Sequence, residues 1–327
     1  MRLWSGVKVA IAGSVLLSAG SVLAASPSTI ITVVKLSGIP WFDRMEQGVK
    51  KYAADTGAAA TQTGPAKGDV QLQVQLLEDT IAKKPTALAV VPLSPEAVEP
   101  VLKKAQGQGI VVVTHEASSI QNASYDIEAF KNAAYGVHLM DHLAKCMGEE
   151  GEYAVFVGNL TSKTHNEWVD AAIARQKEKY PKMTLDGSKN ESNDDQQKSH
   201  DKALELLRAY PKLKGFEGSS SLDVPGIGRA VEERGLQGKV CVIGTGLPSQ
   251  TTQYLESGAI NLISFWDPAD AGYAMNKVAQ MVIDGKKIAD GDNLGVPGYE
   301  KISLDGRVIY GQAWVDVTKE NASKYPF

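Results

Sequence analysis

Cysteine is scarce in this chain: Cys146 and Cys241 are the only two in 327 residues, too few for a disulfide framework. Basic residues do not cluster, and 34 Lys+Arg against 38 Asp+Glu give a net charge of −4. That balance argues against nucleic acid as a partner. There is no Gly-x-Ser-x-Gly elbow and no Gly-x-x-x-x-Gly-Lys phosphate loop, so two common enzyme classes lose their signature. Gly226-x-Gly228 lacks a third glycine and follows Pro225, so no dinucleotide site is expected. Repeats and low-complexity segments are also missing. Only one apolar run is of interest to a membrane, and it stands at the beginning.

That run decides where the protein works. Arg2 and Lys8 precede Val9-Ala-Ile-Ala-Gly-Ser-Val-Leu-Leu-Ser-Ala-Gly, and small residues follow at Ser21-Val-Leu-Ala-Ala-Ser26. A charged start, a short apolar core and a small-residue cleavage site define a secretory signal. The run is short for a bilayer span and carries Gly and Ser. Cleavage is expected after Ala24 or Ala25, so residues 1–25 are read as signal peptide. No cysteine at the cut would take a lipid anchor, so the expected product is soluble and exported. Losing Arg2 and Lys8 takes Lys+Arg from 34 to 32 against 38 acids, a net charge of −6. In an oxidising compartment Cys146 and Cys241 can pair. Two separate buried thiols are the alternative, and the sequence does not decide between them.

After Thr29 the pattern alternates. Short apolar runs such as Ile30–Val34, Ala87–Val91, Ile110–Val113, Tyr153–Val157, Val240–Ile243 and Leu262–Phe265 read as strands. Between them lie amphipathic stretches at helical spacing, for example Phe42, Met45, Val49 and Tyr52. Continuous apolar strands are buried on both faces, as in parallel sheets covered by helices. The fold class is therefore α/β, doubly wound. About 300 exported residues exceed one ordinary core, and the rhythm restarts after a polar stretch at 117–124, so two lobes are expected.

Open parallel sheets bind ligands beyond the carboxyl ends of their strands. Those positions hold Lys35, Trp41 and Phe42; His115 and Glu116; Thr164 and His165; Ser219, Ser221 and Asp223; and Trp266 and Asp267. Aromatic faces beside charged and hydroxyl groups suit a polyhydroxylated small molecule. Glu116 and Asp267 are expected to be indispensable for binding, and His165, with an ordinary pKa of about 6.5, would make affinity pH-dependent.

Several stretches carry a family resemblance: Val34-Lys-Leu-Ser-Gly-Ile-Pro-Trp-Phe42, Thr63-Gly-Pro65, Ala89-Val-Val-Pro-Leu-Ser94, Asn166-Glu-Trp168, Phe265-Trp-Asp267 and Asn321-Ala-Ser-Lys-Tyr-Pro-Phe327. On these the chain resembles type I periplasmic sugar-binding proteins of bacterial ABC importers, in the branch of ribose, rhamnose and autoinducer-2 binders. The resemblance implies two doubly wound lobes joined by a hinge that the chain crosses three times. The crossings are expected near 117–124, 265–267 and 291–298. Residues 26–117 with 267–292 would form the N-terminal lobe, and 118–266 with 293–327 the C-terminal lobe. It implies a monosaccharide or sugar-alcohol ligand held between the lobes, delivery to an inner-membrane ABC permease, and no cofactor. A chemoreceptor that engages the closed form is an additional partner the resemblance leaves open.

Within that branch the autoinducer-2 receptors hold their furanose with a lysine, two aspartates, a glutamine and two small residues. Lys35 matches the lysine. Glu116 replaces one aspartate, and Thr164 and His165 replace the aspartate–glutamine pair. Ser219 and Ser221 stand near the small positions. So many changes favour another sugar, with autoinducer-2 as the alternative. The aspartate–arginine pair of ribose binders is replaced by His115-Glu116.

Rival readings have less support. An enzyme on a flavodoxin-like fold could pair His165, His115, Glu116 and Asp267 for acid–base work. His138 and His142, four apart on one helix, have a metal-ligand spacing, but the glutamate of His-Glu-x-x-His is missing, so no metal site is expected. Sugar-responsive repressors share the fold but begin with a helix-turn-helix, where this chain begins with a signal.

Overall fold

The computed structural model describes residue 1 and residues 27–327. The expected signal peptide falls on residues 1–25, nearly all of it outside the described residues. The rest forms two α/β lobes, each around its own mostly parallel sheet.

In the first lobe the chain runs β1 (Thr29–Val33), α1 (Pro40–Thr56), β2 (Ala59–Thr63), α2 (Val70–Ala82), β3 (Ala87–Val90), α3 (Pro95–Gly107), β4 (Val111–His115) and β5 (Tyr125–Glu128). It then enters the second lobe with α4 (Asn132–Met147), β6 (Glu150–Val157), α5 (Lys163–Lys179), β7 (Lys182–Leu185), β8 (Asn190–Glu191), α6 (Gln196–Ala209), β9 (Leu213–Gly218), α7 (Asp223–Glu233), β10 (Cys241–Thr245), α8 (Pro248–Ser257) and β11 (Leu262–Phe265). It returns to the first lobe for α9 (Pro268–Ile283), β12 (Ser303–Asp305) and β13 (Val308–Tyr310), and ends in the second with β14 (Val315–Val317). The strand orders are β12-β13-β5-β4-β3-β1-β2 and β14-β11-β10-β9-β6-β7, with β8 paired to β6. Among the described residues only β12 and β14 run antiparallel to their neighbours.

Local chemistry explains these elements. All residues of β3, β10 and β11 are buried, as strands covered on both faces must be. Asp69 and Asp195 cap α2 and α6 with their side chains, and Pro stands in the first turn of α1, α3, α8 and α9, where its missing N–H costs nothing. Helices α1 and α9 touch backbone to backbone: a Cβ on Gly48 would fall 1.8 Å from the carbonyl oxygen of Ala269. The second lobe repeats the device between α4 and α5, where a Cβ on Gly136 would lie 2.1 Å from the carbonyl oxygen of Trp168.

Sheet membership moves two of the expected lobe boundaries. The first crossing lies between Glu128 and Asn132, not at 117–124, because β5 pairs in parallel with β4 and β13 inside the first sheet. Its sequence, Tyr-Asp-Ile-Glu, is half acidic and has no apolar run to mark it as a strand. The third crossing lies between Tyr310 and Val315, not at 291–298, because the hairpin β12–β13 also belongs to the first sheet. The middle crossing joins Phe265 to Pro268.

Cys146, at the end of α4, and Cys241, at the start of β10, form a disulfide (S–S 2.02 Å). It ties a helix to the sheet of the second lobe and settles the alternative that the sequence leaves open.

Candidate functional site

The carboxyl ends of the two sheets face each other across a narrow closed cavity of about 20 Å³, room for about one water molecule, so a larger ligand enters only as the lobes part. From the first lobe it is lined by Lys35 beyond β1, by Ile39, Trp41 and Phe42 at the start of α1, and by Glu116 beyond β4. The second lobe adds His165 and Trp168 from α5, Asp194 ahead of α6, Ser219, Ser220 and Ser221 beyond β9, Thr245 at the end of β10 and Trp266 beyond β11.

Three charged groups meet there. Lys35 Nζ lies 3.8 Å from Glu116 Oε2 and 4.0 Å from Asp194 Oδ2, and all three side chains are at least nine-tenths buried. These separations exceed hydrogen-bond length, so the ammonium keeps donors free for a third party. Asp194 is braced by Ser220 Oγ, donating to Oδ1 at 2.6 Å, and by Asn159 Nδ2, donating to Oδ2 at 3.2 Å. Desolvation pushes its pKa up. The Lys35 charge, His165 and these hydrogen bonds outweigh that and hold it below the usual carboxylate value. Glu116 has φ +58°, a left-handed conformation that non-glycine residues adopt at a cost and that clusters at functional sites.

His165 Nδ1 accepts from the Gly158 N–H at 3.1 Å, so in the neutral ring the proton sits on Nε2 and can be donated. Burial, and next the Lys35 charge, lower its pKa to about 4. Burial therefore holds the ring neutral in this arrangement of the lobes. Ser219 Oγ and Trp266 Nε1 are buried without a hydrogen-bond partner. Indole walls complete the site: Trp266 meets Trp41 edge-on at 4.6 Å and Trp168 at 5.7 Å.

Of the residues expected from sequence, Lys35, Trp41, Phe42, Glu116, His165, Ser219, Ser221 and Trp266 come together. Four do not line the cavity. His115 is fully buried behind it, with Nδ1 against the carbonyl oxygen of Ile127 and Nε2 4.0 Å from Glu116 Oε1. Thr164 is buried in the first turn of α5. Asp223 lies beneath the serine loop, where Oδ2 accepts from the N–H groups of Ser219 (3.1 Å) and Ser220 (2.8 Å); burial raises its pKa to about 7. Asp267 caps α9 and takes two hydrogen bonds from Arg44, at 2.9 and 2.5 Å. Ile39, Trp168, Asp194, Ser220 and Thr245 line the cavity without having been expected. Thr245 and Ser220 each stand beside a strand end or an expected serine, so position alone could have found them. Asp194 follows a two-residue strand that carries no sequence signal.

A sequence profile described as a periplasmic binding protein domain matches residues 30–287. This chain belongs to the periplasmic binding protein family. A curated relative, the D-allose-binding periplasmic protein of Escherichia coli K12, is 27% identical over 265 residues, which cover 78% of this chain and 83% of that one. Among solved structures, an ABC transporter solute-binding protein from Clostridium phytofermentas with bound L-rhamnose superposes with a TM-score of 0.84 at 22% identity, covering 92% of this chain and 99% of the other. LsrB from Clostridium saccharobutylicum in complex with AI-2 gives 0.82 at 20% identity, covering 91% and 100%. Among the described residues no helix is long and apolar enough to cross a membrane.

Proposed function

We propose that this protein captures one monosaccharide or sugar alcohol in the periplasm and delivers it, unchanged, to the permease of an ABC importer. The observation that carries this reading is the interlobe cavity. It holds a buried ammonium and carboxylates with free hydrogen-bonding capacity, and indole faces wall it. A sugar presents hydroxyls to the former and C–H faces to the latter. Buried charges need partners, and hydroxyls placed between Lys35, Glu116 and Asp194 supply them. The names of the relatives, which bind allose and rhamnose, support the same class. Because the cavity takes groups from both lobes, ligand favours their apposition, and a permease would recognise the paired faces. A chemoreceptor could read that same form.

Thermal denaturation of residues 26–327 against pentoses, hexoses, deoxyhexoses, polyols and AI-2 tests it. A ligand that binds only the native state raises the melting temperature. A rise with one sugar or polyol supports the importer reading and names the class. A rise with AI-2 alone assigns signal uptake instead. Flat curves with all of them, with no binding by calorimetry, overturn it.

A further inference from the structure

We propose that His138, His142 and Asp316 form a binding site for a divalent transition-metal cation such as Zn²⁺, separate from the interlobe cavity. His138 and His142 are one turn apart on α4 with ring centroids 4.6 Å apart. The sequence shows only this pair. The fold adds Asp316, from β14, just beyond the third crossing. His138 Nε2 lies 2.8 Å from Asp316 Oδ1 and His142 Nε2 3.6 Å from Asp316 Oδ2, and the three donor atoms all lie within 4.8 Å of one another.

Zinc bound tetrahedrally at 2.0–2.1 Å sets its donor atoms roughly 3.3 Å apart, so small side-chain movements would close this triangle on an ion. Two imidazoles and a carboxylate are a zinc donor set that leaves a fourth position for water. The side chains are 22–35% exposed, sheltered yet reachable.

The site has a mechanical setting. Trp314, inside the third crossing, stacks on the His138 ring at 5.2 Å. A bound ion would clamp α4 to the strand that leaves the hinge, and Trp314 would report it.

The test uses the exported chain without an affinity tag, stripped with EDTA and free of sugar. Equilibrium dialysis against Zn²⁺ should give one ion per chain. Melting should rise by roughly 2–5 °C at saturating Zn²⁺, and tryptophan emission should change. His142→Gln and Asp316→Asn should each weaken Zn²⁺ binding at least tenfold while keeping the metal-free melting within a few degrees. Failure to bind Zn²⁺ below 100 µM (on the order of a weak surface site) overturns the proposal. Unchanged stoichiometry and affinity in both variants overturn it equally, by placing the ion elsewhere.

Discussion

Lys35 Nζ lies 4.0 Å from Asp194 Oδ2, and the two residues belong to different lobes. The contact is an interlobe ion pair too long to be a hydrogen bond, buried, and open to a ligand hydroxyl. Replacing Lys35 by Met or Asp194 by Asn removes a charged hydrogen-bonding partner while keeping volume. Such bonds are worth about 1.5–3 kcal/mol, so affinity for the cognate sugar should fall roughly tenfold to 150-fold. Titration calorimetry reads this directly. Affinity within threefold of the parent in both variants would move the ligand out of this cavity.

Asp267 should behave differently. It lies at a strand end, yet its carboxylate is committed to Arg44 and to the N–H of Ala269. Asp267→Ala removes a helix cap worth about 1 kcal/mol together with the Arg44 pair. The melting temperature should drop while sugar affinity changes only a few-fold. Complete loss of binding in a folded variant would restore Asp267 to the ligand.

This contrast shows what was legible in the sequence. Strand ends can be read from apolar runs, so Lys35, Glu116 and Trp266 could be placed near the ligand. Which way a side chain turns cannot be read that way. Asp223 and Asp267 follow strands as Glu116 does, but each turns back to satisfy helix or loop N–H groups. Asp194 was invisible for the opposite reason. It reaches the cavity through consecutive left-handed residues, Asn193 (φ +58°) and Asp194 (φ +50°), after a strand too short to announce itself. The lobe boundaries slipped for a related reason: β5, β12 and β13 are only three or four residues long, and the sheet they join is set by pairing between β5 and β13, far apart in the chain.

Buried carboxyls set a pH dependence of stability. Burial raises Glu217 to about 8 and Asp223 to about 7. Neither oxygen of Glu217 has a hydrogen-bond partner. The folded state keeps these protons at pH values where the unfolded chain, with carboxyls near 4, has lost them. Their contribution is complete below pH 4 and fades as pH rises to about 8. Glu217→Gln, which cannot ionise, should flatten the fall in stability between pH 5 and 8 by an amount on the order of 1–3 kcal/mol. Urea melts at several pH values check it. A parallel curve for parent and variant would mean that Glu217 ionises alike in both states.

The disulfide and the α4–α5 contact allow loss of stability to be separated from loss of the site. Cys146 and Cys241 are 95 residues apart, and Cys241 begins β10, whose other end carries Thr245 in the cavity. Replacing both cysteines by Ser should cost about 2–4 kcal/mol and leave sugar affinity near the parent value. Gly136→Ala should cost a similar amount, about 1–3 kcal/mol for overpacking, but by a different route. The new methyl meets the Trp168 carbonyl oxygen, and Trp168 both lines the cavity and donates from Nε1 to Asn132 at 2.8 Å. Shifting it should weaken binding several-fold and change tryptophan emission in the sugar complex. Equal affinities for the two variants would show that Trp168 shapes the lobe and leaves recognition to the charged groups.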